Sequence, residues 1–155
     1  MKERKIVVAV DESEESMYAL SWCFTNLISH TNNCKLVLLY VKPPPLIYSP
    51  AGKGYIFSND VVVALEQYGK QLTDSVMERA GAICSNFNPT NVSVERVVGS
   101  GDAKEVICSA VQKLTADTLV MGTHGYGFFK RALLGSVSDH CAKHANCSVV
   151  IVKHP

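Results

Sequence analysis

Short apolar runs alternate with longer stretches of helical periodicity along the whole chain. The runs predict five strands, at residues 6–10, 36–41, 92–98, 119–121 and 148–152. The first two are apolar at every position, which is typical of strands buried on both faces. Because a helix separates each strand from the next, the strands must pair in parallel through right-handed crossovers. The pattern therefore predicts an open, doubly wound α/β sheet with helices on both faces.

The first two helices have recognisable starts and long apolar faces. Ser13 is predicted to cap the first helix, and Asn59 or Asp60 the second. The residues predicted to face the sheet are Met17, Leu20, Phe24, Leu27 and Ile28 on the first helix, and Val61, Leu65, Leu72, Val76, Ala80, Ile83 and Phe87 on the second.

The later helices are predicted from similar signals. Asp102 followed by Glu105 has the spacing of a capping box, which would open the third helix. A last helix is predicted over residues 135–145. The proline- and glycine-rich stretch 42–58 is predicted as a loop. The apolar face of the third helix comprises Val106, Ile107, Ala110, Val111 and Leu114.

Length and charge limit the class of protein. A chain of 155 residues that is 47% hydrophobic is expected to form a single domain, 1–155, with its own core. Fifteen basic and fourteen acidic side chains leave a net charge of +1, so a broad nucleic-acid-binding face is not expected. No apolar run approaches the ~18 residues of a membrane span. Six cysteines without a CxxC pair favour a reduced, cytoplasmic protein.

Glycines and serines cluster after the fourth predicted strand. Gly122 and Gly125 are followed, after nine residues, by Gly135 and Ser136, with Ser138 two positions on. Glycine lets the backbone approach a ligand closely, and the free N–H groups of a helix start suit a phosphate. A tight strand-to-helix turn with an ordinary serine cap has the same spacing, so phosphate binding stays open here. The Gly-Lys-Ser/Thr of a Walker A loop is absent from the sequence.

Asp11 directly follows the first predicted strand. Ligands of doubly wound sheets bind beyond the carboxyl ends of the strands, where the winding direction reverses. Asp11 is therefore predicted to accept hydrogen bonds from a ligand. The alternative is that it caps the first helix, but Ser13 is better placed for that role.

Other reactive side chains favour no second site. His140 and His144 lie four residues apart on the last predicted helix, a spacing that can hold zinc. The sequence places no third ligand beside them, so we expect no metal site. Asp139 and His140 are adjacent on that helix and point apart, which argues against a catalytic triad.

Five segments of the chain resemble the universal stress protein family in its single-domain, plant-like form. They are IVVAVDES, LVLLYV, VVGSGDAKEVICSAV, DTLVMGTHGYG and LLGSVSDHCAKHANCSVVIV. The most specific feature is the signature G-x2-G-x9-G-S/T, which Gly122, Gly125, Gly135 and Ser136 match. Members with this signature form the branch that binds ATP or AMP. The resemblance implies a Rossmann-like, adenine nucleotide alpha hydrolase-like sheet with strand order 3-2-1-4-5.

The resemblance also implies a nucleotide site. Asp11 would contact the adenosine, Val41 the adenine through its backbone, and Met121 with Gly122 the ribose. The residues that would surround the phosphates are His124, Gly125, Gly135, Ser136, Val137 and Ser138. The complete set is Ala9, Val10, Asp11, Val41, Met121, Gly122, His124, Gly125, Gly135, Ser136, Val137 and Ser138.

The function implied by the resemblance is adenine-nucleotide binding in stress response, as a sensor or adaptor. ATP or AMP would be the ligand, with or without Mg²⁺. Two alternatives stay open: a slow ATP hydrolase, with His124 as the candidate group near the phosphates, and a nucleotide-independent, dimeric interaction or chaperone-like module. Family members dimerise through the last strand, so a homodimer through Ser148–Val152 is expected. An unidentified protein partner is expected as well, whereas a nucleic acid or a membrane is not.

Overall fold

The computed structural model describes residues 2–29, 33–43, 59–123 and 135–155, in which strands and helices alternate. The strands are β1 (Arg4–Ala9), β2 (Cys34–Lys42), β3 (Val92–Ser100), β4 (Thr118–Gly122) and β5 (Ser148–Val152). The helices are α1 (Glu14–Cys23), α2 (Asn59–Phe87), α3 (Ala103–Lys113) and α4 (Ser136–His144). A π-helical turn, Phe24–Ile28, continues α1.

All five strands pair in parallel in one sheet, in the order β3-β2-β1-β4-β5. At the centre, Val8 of β1 is paired with Leu38 of β2 and Val120 of β4. The predicted fold class and strand order are thus confirmed. The chain winds outward from β1 in one direction through β2 and β3, and in the other through β4 and β5. A crevice is expected between the carboxyl ends of β1 and β4, where this direction reverses.

Alternate residues of the inner strands fill two cores, one on each face of the sheet. Because successive side chains of a strand point to opposite faces, a run that is apolar at every position serves both cores at once. The face under α1 and α2 buries Ile6, Val8, Leu36, Leu38 and Val120, whereas the face under α3 and α4 buries Val7, Ala9, Val37, Leu39 and Leu119.

The first turns of α2 depart from the predicted inner face. Val61 and Leu65 are 41% and 44% exposed, and burial begins further along the helix, at Val76. The reason is length. Twenty-nine helical residues extend about 43 Å, whereas the nine residues of β3 extend about 30 Å. The amino-terminal turns of α2 therefore reach past the sheet and have no core beneath them.

The predicted cap of α1 forms, whereas that of α3 does not. The Ser13 hydroxyl accepts a hydrogen bond from the Ser16 N–H (3.2 Å), as predicted for α1. The capping box of α3 was a wrong prediction. Asp102 is the N-cap residue but accepts no capping hydrogen bond from the helix backbone, and its carboxylate lies 3.4 Å from Lys104 Nζ, on the first turn of α3, instead. The exposed Lys104 thus pairs with the carboxylate that would otherwise accept a hydrogen bond from the N–H groups at the start of α3.

The described residues contain no helix that is both long and apolar enough to cross a membrane. All six cysteines lie in the described part of the chain, and none is in a disulfide.

Candidate functional site

The side chain of Asp11 is buried at the carboxyl end of β1. The residue is 1% exposed, and its Oδ1 accepts hydrogen bonds from the Ser13 N–H (2.9 Å) and the Ser13 hydroxyl. Its Oδ2 is buried and has no hydrogen-bond partner among the described residues. Leaving a buried acceptor unpaired costs free energy, about 1–3 kcal/mol in typical proteins. The second oxygen of Asp11 is therefore an acceptor that a ligand's donor would satisfy.

Burial also changes the acidity of Asp11. It raises the pKa of the carboxyl to about 6, against the opposing effect of the hydrogen bonds from Ser13, and the charge of Glu12 raises it slightly further. A donor placed on Oδ2 would stabilise the charged form and lower this pKa again. The pKa of Asp11 would therefore depend on whether a hydrogen-bond donor occupies the crevice.

Ser16 fixes the backbone of Asp11, and the sequence analysis did not identify it. The Asp11 N–H donates to Ser16 Oγ (2.9 Å), and the Ser16 hydroxyl lies 3.1 Å from the Asp11 carbonyl oxygen. Ser16 is 1% exposed. The available signal was a second serine three residues after the cap Ser13, on the inward side of the first turn of α1.

Arg79 ties the same turn to α2 and was also missed. Its Nη1 donates to the Glu12 carbonyl oxygen (2.9 Å), and its Nη2 lies 2.7 Å from Glu14 Oε1. No local pattern could have found this contact, because 67 residues separate Arg79 from Glu12. The turn after β1 is thus held from two directions, by α1 from within and by α2 from outside.

Gly122, at the end of β4, packs against α1. A Cβ atom built at this position would lie 2.9 Å from the carbonyl carbon and oxygen of Glu15. Real Cβ atoms essentially never show so short a contact, so the close approach of β4 and α1 requires glycine here. The predicted place of Gly122 beside a ribose stays a prediction, since its observed close neighbour is a helix.

The start of α4 is fastened to the end of β4 by two hydrogen bonds. The Gly135 N–H donates to the Thr123 carbonyl oxygen (2.7 Å), and the hydroxyl of the buried Ser138 donates to the Gly122 carbonyl oxygen (2.8 Å). Ser138 therefore uses its proton to hold the helix. No side chain of the described residues caps α4, so the N–H groups of its first turn point out of the helix start.

The sheet register brings the predicted residues of three strands together. Ala9 is paired with Leu39 and Val8 with Val120. Asp11 follows the end of β1 by two residues, Val41 lies near the end of β2, and Thr123 directly follows β4, so all three lie at the carboxyl edge of these adjacent strands. The side chains of Ala9, Val10 and Met121 lie in the cores. His124, Gly125 and the 42–58 stretch from residue 44 onward lie outside the described residues.

The two histidines of α4 lie side by side with their rings tilted by 39°. The His140 and His144 rings are 4.4 Å apart between centroids. Within the described ranges, no group of three or more His, Cys, Asp or Glu side chains is arranged to hold a metal ion.

Comparison with known proteins decides the family. Residues 3–153 match the universal stress protein family. The chain belongs to this family. Two Arabidopsis thaliana relatives illustrate the match: universal stress protein PHOS32, 28% identical with 98% of this chain and 65% of that protein covered, and universal stress protein A-like protein, 28% identical with 96% and 89% covered. This universal stress protein thus spans slightly less than two thirds of the length of PHOS32.

Solved structures of other family members share its fold. An Arabidopsis thaliana universal stress protein with AMP bound is 24% identical, with a TM-score of 0.68 and 98% and 92% of the two chains covered. A universal stress protein in complex with cAMP is 22% identical, with a TM-score of 0.64 and 96% of each chain covered. The universal stress protein from Archaeoglobus fulgidus in complex with dAMP is 17% identical, with a TM-score of 0.62; the match covers 99% of this chain and 100% of that one. At these identities the similarity establishes the fold.

Proposed function

We propose that this universal stress protein binds an adenine nucleotide in the crevice between β1 and β4. The observation that carries the proposal is the buried, unpartnered Oδ2 of Asp11, just past the end of β1; the neighbouring strand, β4, leads to Thr123, which bonds the start of α4. A carboxylate oxygen accepts hydrogen bonds from hydroxyl or amine groups, and the free N–H groups at a helix start donate hydrogen bonds to a phosphate. A nucleotide supplies both kinds of group at once.

The ligands of the structural neighbours fit this arrangement. AMP, cAMP and dAMP each combine an adenine, a sugar and a phosphate, and all three are held by proteins with this fold. In this chain we assign the adenosine to Asp11 and Val41, and the phosphates to the start of α4, from Gly135 to Ser138. Ser138 contributes its backbone there, because its hydroxyl is donated to Gly122. We propose ATP or AMP as the resident ligand.

Released nucleotide and a matched pair of variants test the proposal. Denaturing the freshly purified protein should release ATP or AMP, identified by mass spectrometry. Asp11→Asn removes the acceptor charge with little change of shape, and we expect it to weaken AMP and ATP binding at least tenfold in calorimetry. Asp102→Asn makes the same change at an exposed helix start and should leave the affinity unchanged. Equal loss in both variants, or no binding by the native protein at millimolar nucleotide, would contradict the proposal.

We further propose that nucleotide occupancy acts as the signal of a sensor or adaptor. The start of α4 would carry it, because Gly135 and Ser138 connect this helix to the end of β4. Adding the nucleotide should slow hydrogen exchange at the first-turn amides of α4 more than at the first-turn amides of α3. Unchanged exchange in α4 at saturating nucleotide would count against a signalling role. The cytoplasmic location stays a prediction.

We propose a homodimer that pairs through β5. The two edges of the sheet differ in charge: β3 carries Glu95, paired with Lys35 (2.7 Å), and Arg96, whereas β5 has no charged residue. Charged side chains on an edge strand discourage pairing with another chain, so β5 is the open edge. Light scattering at micromolar concentration should show a dimer that Val150→Lys dissociates. Val94→Lys, the same change at the β3 edge, should leave it intact. A monomeric native protein would overturn the proposal.

A further inference from the structure

Two thiols from different helices meet on the face of the sheet away from α1 and α2. Cys108 lies on α3 and Cys141 on α4, and their Sγ atoms are 3.8 Å apart. Cys141 is fully buried, whereas Cys108 is partly exposed. Cys108 is thus the more exposed residue of the pair, and Cys141 lies in the core.

We propose that Cys108 and Cys141 form a site of reversible oxidation by hydroperoxides. In the first step the Cys108 sulfur attacks hydrogen peroxide. The O–O bond breaks, an S–O bond forms, and one water leaves, so that Cys108 becomes a sulfenic acid. In the second step the Cys141 sulfur attacks Cys108. The S–S bond forms, the S–O bond breaks, and the hydroxyl group leaves as a second water with the Cys141 proton. Two thiols are oxidised to one disulfide, and one peroxide is reduced to two waters.

The environments of the two sulfurs set the order of these steps. Burial, with a smaller contribution from the neighbouring Cys108, raises the pKa of Cys141 to about 12. Cys141 therefore keeps its proton and is a poor first nucleophile, because the thiolate is the reactive form of cysteine. The Cys108 thiol donates a hydrogen bond to Cys141 Sγ (3.8 Å), so the two sulfurs already face each other. Cys141 reacts second, when the sulfenic acid next to it offers an electrophilic sulfur.

The distance to be closed is short. A disulfide requires sulfurs about 2.05 Å apart, so the two atoms must approach by roughly 1.8 Å from 3.8 Å. The remaining cysteines compete poorly. Cys23, Cys34 and Cys84 are all at least nine-tenths buried on the opposite face of the sheet. Cys147 is the nearest rival, since it is partly exposed and close enough to raise the pKa of Cys141.

The crosslink would join α3 to a helix that borders the candidate site. Cys141 lies one turn after Ser138, whose hydroxyl holds α4 to the end of β4. Oxidation would therefore fasten α4 at two points, Ser138 to the sheet and Cys141 to α3. The test of the chemistry itself needs no nucleotide, so it is independent of the proposed function.

Peptide mapping after peroxide treatment tests the site. Trypsin places Cys108 in peptide 105–113, Cys141 in peptide 132–143 and Cys147 in peptide 144–153, so each pairing gives a distinct linked mass. The native protein is treated with hydrogen peroxide and its intact mass is measured; it is then unfolded in the presence of the alkylating reagent, which blocks the buried free thiols, and digested. We expect an intact chain lighter by two hydrogens before alkylation, and peptide 105–113 linked to 132–143. Dithiothreitol should reverse both changes.

Variants and an unfolded control make the result decisive. Cys147→Ser should keep the crosslink within twofold of the native yield, whereas Cys108→Ser should lower total disulfide at least tenfold. Peroxide treatment of the unfolded chain should give a mixture of linked pairs. A dominant Cys147 linkage, a disulfide between two chains, overoxidation of Cys108 without a crosslink, or the same pattern from folded and unfolded protein would overturn the proposal.

Discussion

The two sides of the crevice are built from different chemical groups. On the β1 side, the hydroxyls of Ser13 and Ser16 bond the carboxyl and the backbone of Asp11, respectively, and one carboxylate oxygen has no partner among the described residues. On the β4 side, backbone atoms of Gly122, Thr123 and Gly135 make the contacts, together with one side-chain donor, the Ser138 hydroxyl. The β1 side contains an unpaired hydrogen-bond acceptor, whereas the β4 side is closely packed and its polar groups are paired with each other.

This difference separates specificity from rigidity. A buried carboxyl with an unpaired oxygen destabilises the empty protein and is relieved by a matching donor. A glycine in close contact with a helix, and a hydrogen bond between two backbone atoms, give stability whether or not a ligand is present. Substitutions on the β1 side should therefore trade stability against binding, whereas those on the β4 side should lower stability outright.

The largest effect is expected from Asp11, and it depends on pH. The folded-state pKa of about 6 lies above the ordinary value of 3.8, so the folded protein binds more protons than the unfolded chain between these two values. Stability from this group is therefore complete below about pH 4 and lost as the pH rises through 6. The full change is about 3 kcal/mol. Asp11→Asn removes this slope, and the ligand-free variant should be more stable than the native protein at pH 7.5.

Urea unfolding of the ligand-free protein from pH 4 to pH 8 measures this difference. The variant is compared with the native protein at each pH, so that the other carboxyls cancel. Asp102→Asn, at an exposed position, should follow the native curve. A native curve and an Asp11→Asn curve that stay parallel would show that burial of Asp11 carries no such cost.

Gly122→Ala should destabilise by about 1–3 kcal/mol, because the added methyl group meets the Glu15 backbone at 2.9 Å and overpacking costs this much. Gly69→Ala is the matched control. Gly69 lies within α2, and a Cβ atom there would meet nothing within 4 Å. Because alanine loses less backbone entropy than glycine in a helix, Gly69→Ala should be more stable than the native protein by about 0.5–1 kcal/mol. Thermal unfolding should therefore give shifts of opposite sign, and shifts of the same sign would refute the packing role of Gly122.

Ser138→Ala gives the smallest effect of the three, about 1 kcal/mol of lost stability, since one buried hydrogen bond to the Gly122 carbonyl is removed. Ser136→Ala removes an exposed hydroxyl from the same turn and should change stability by less than about 0.5 kcal/mol. Chemical unfolding of both variants measures the difference. Equal stability of the two would mean that the Ser138 bond does not hold α4 to the sheet.

The fold was predictable because its signals are local. The run at residues 6–10 is apolar at each position. Because alternate residues point to opposite faces, this run alone indicates that both faces of the strand are buried. The bounds of β5 were predicted to the residue. The exposed start of α2 was not, because Val61 and Leu65 have the right spacing for an inner face but lie beyond the end of the sheet. Helical periodicity says which side of a helix is apolar, not how far the sheet beneath it extends.

The candidate site was predictable in part, for the same reason. Asp11 was identified by its position after a strand, which is a local property. Its burial, its unpaired oxygen and its raised pKa depend on how α1 folds back over β1. Arg79 could not be found at all, because its partners lie 65 and 67 residues away. Asp102 and Lys104 show that a local motif can also fail when a nearby charge offers another partner.

The bond between Gly135 and Thr123 has a consequence for how this protein can vary. It fixes Thr123 and Gly135 to each other whatever length of chain joins them. For chain ends held together in this way, the entropy of closure grows slowly, by about 0.6 kcal/mol for each doubling of length. We therefore expect insertions between these two residues to cost the sheet little stability.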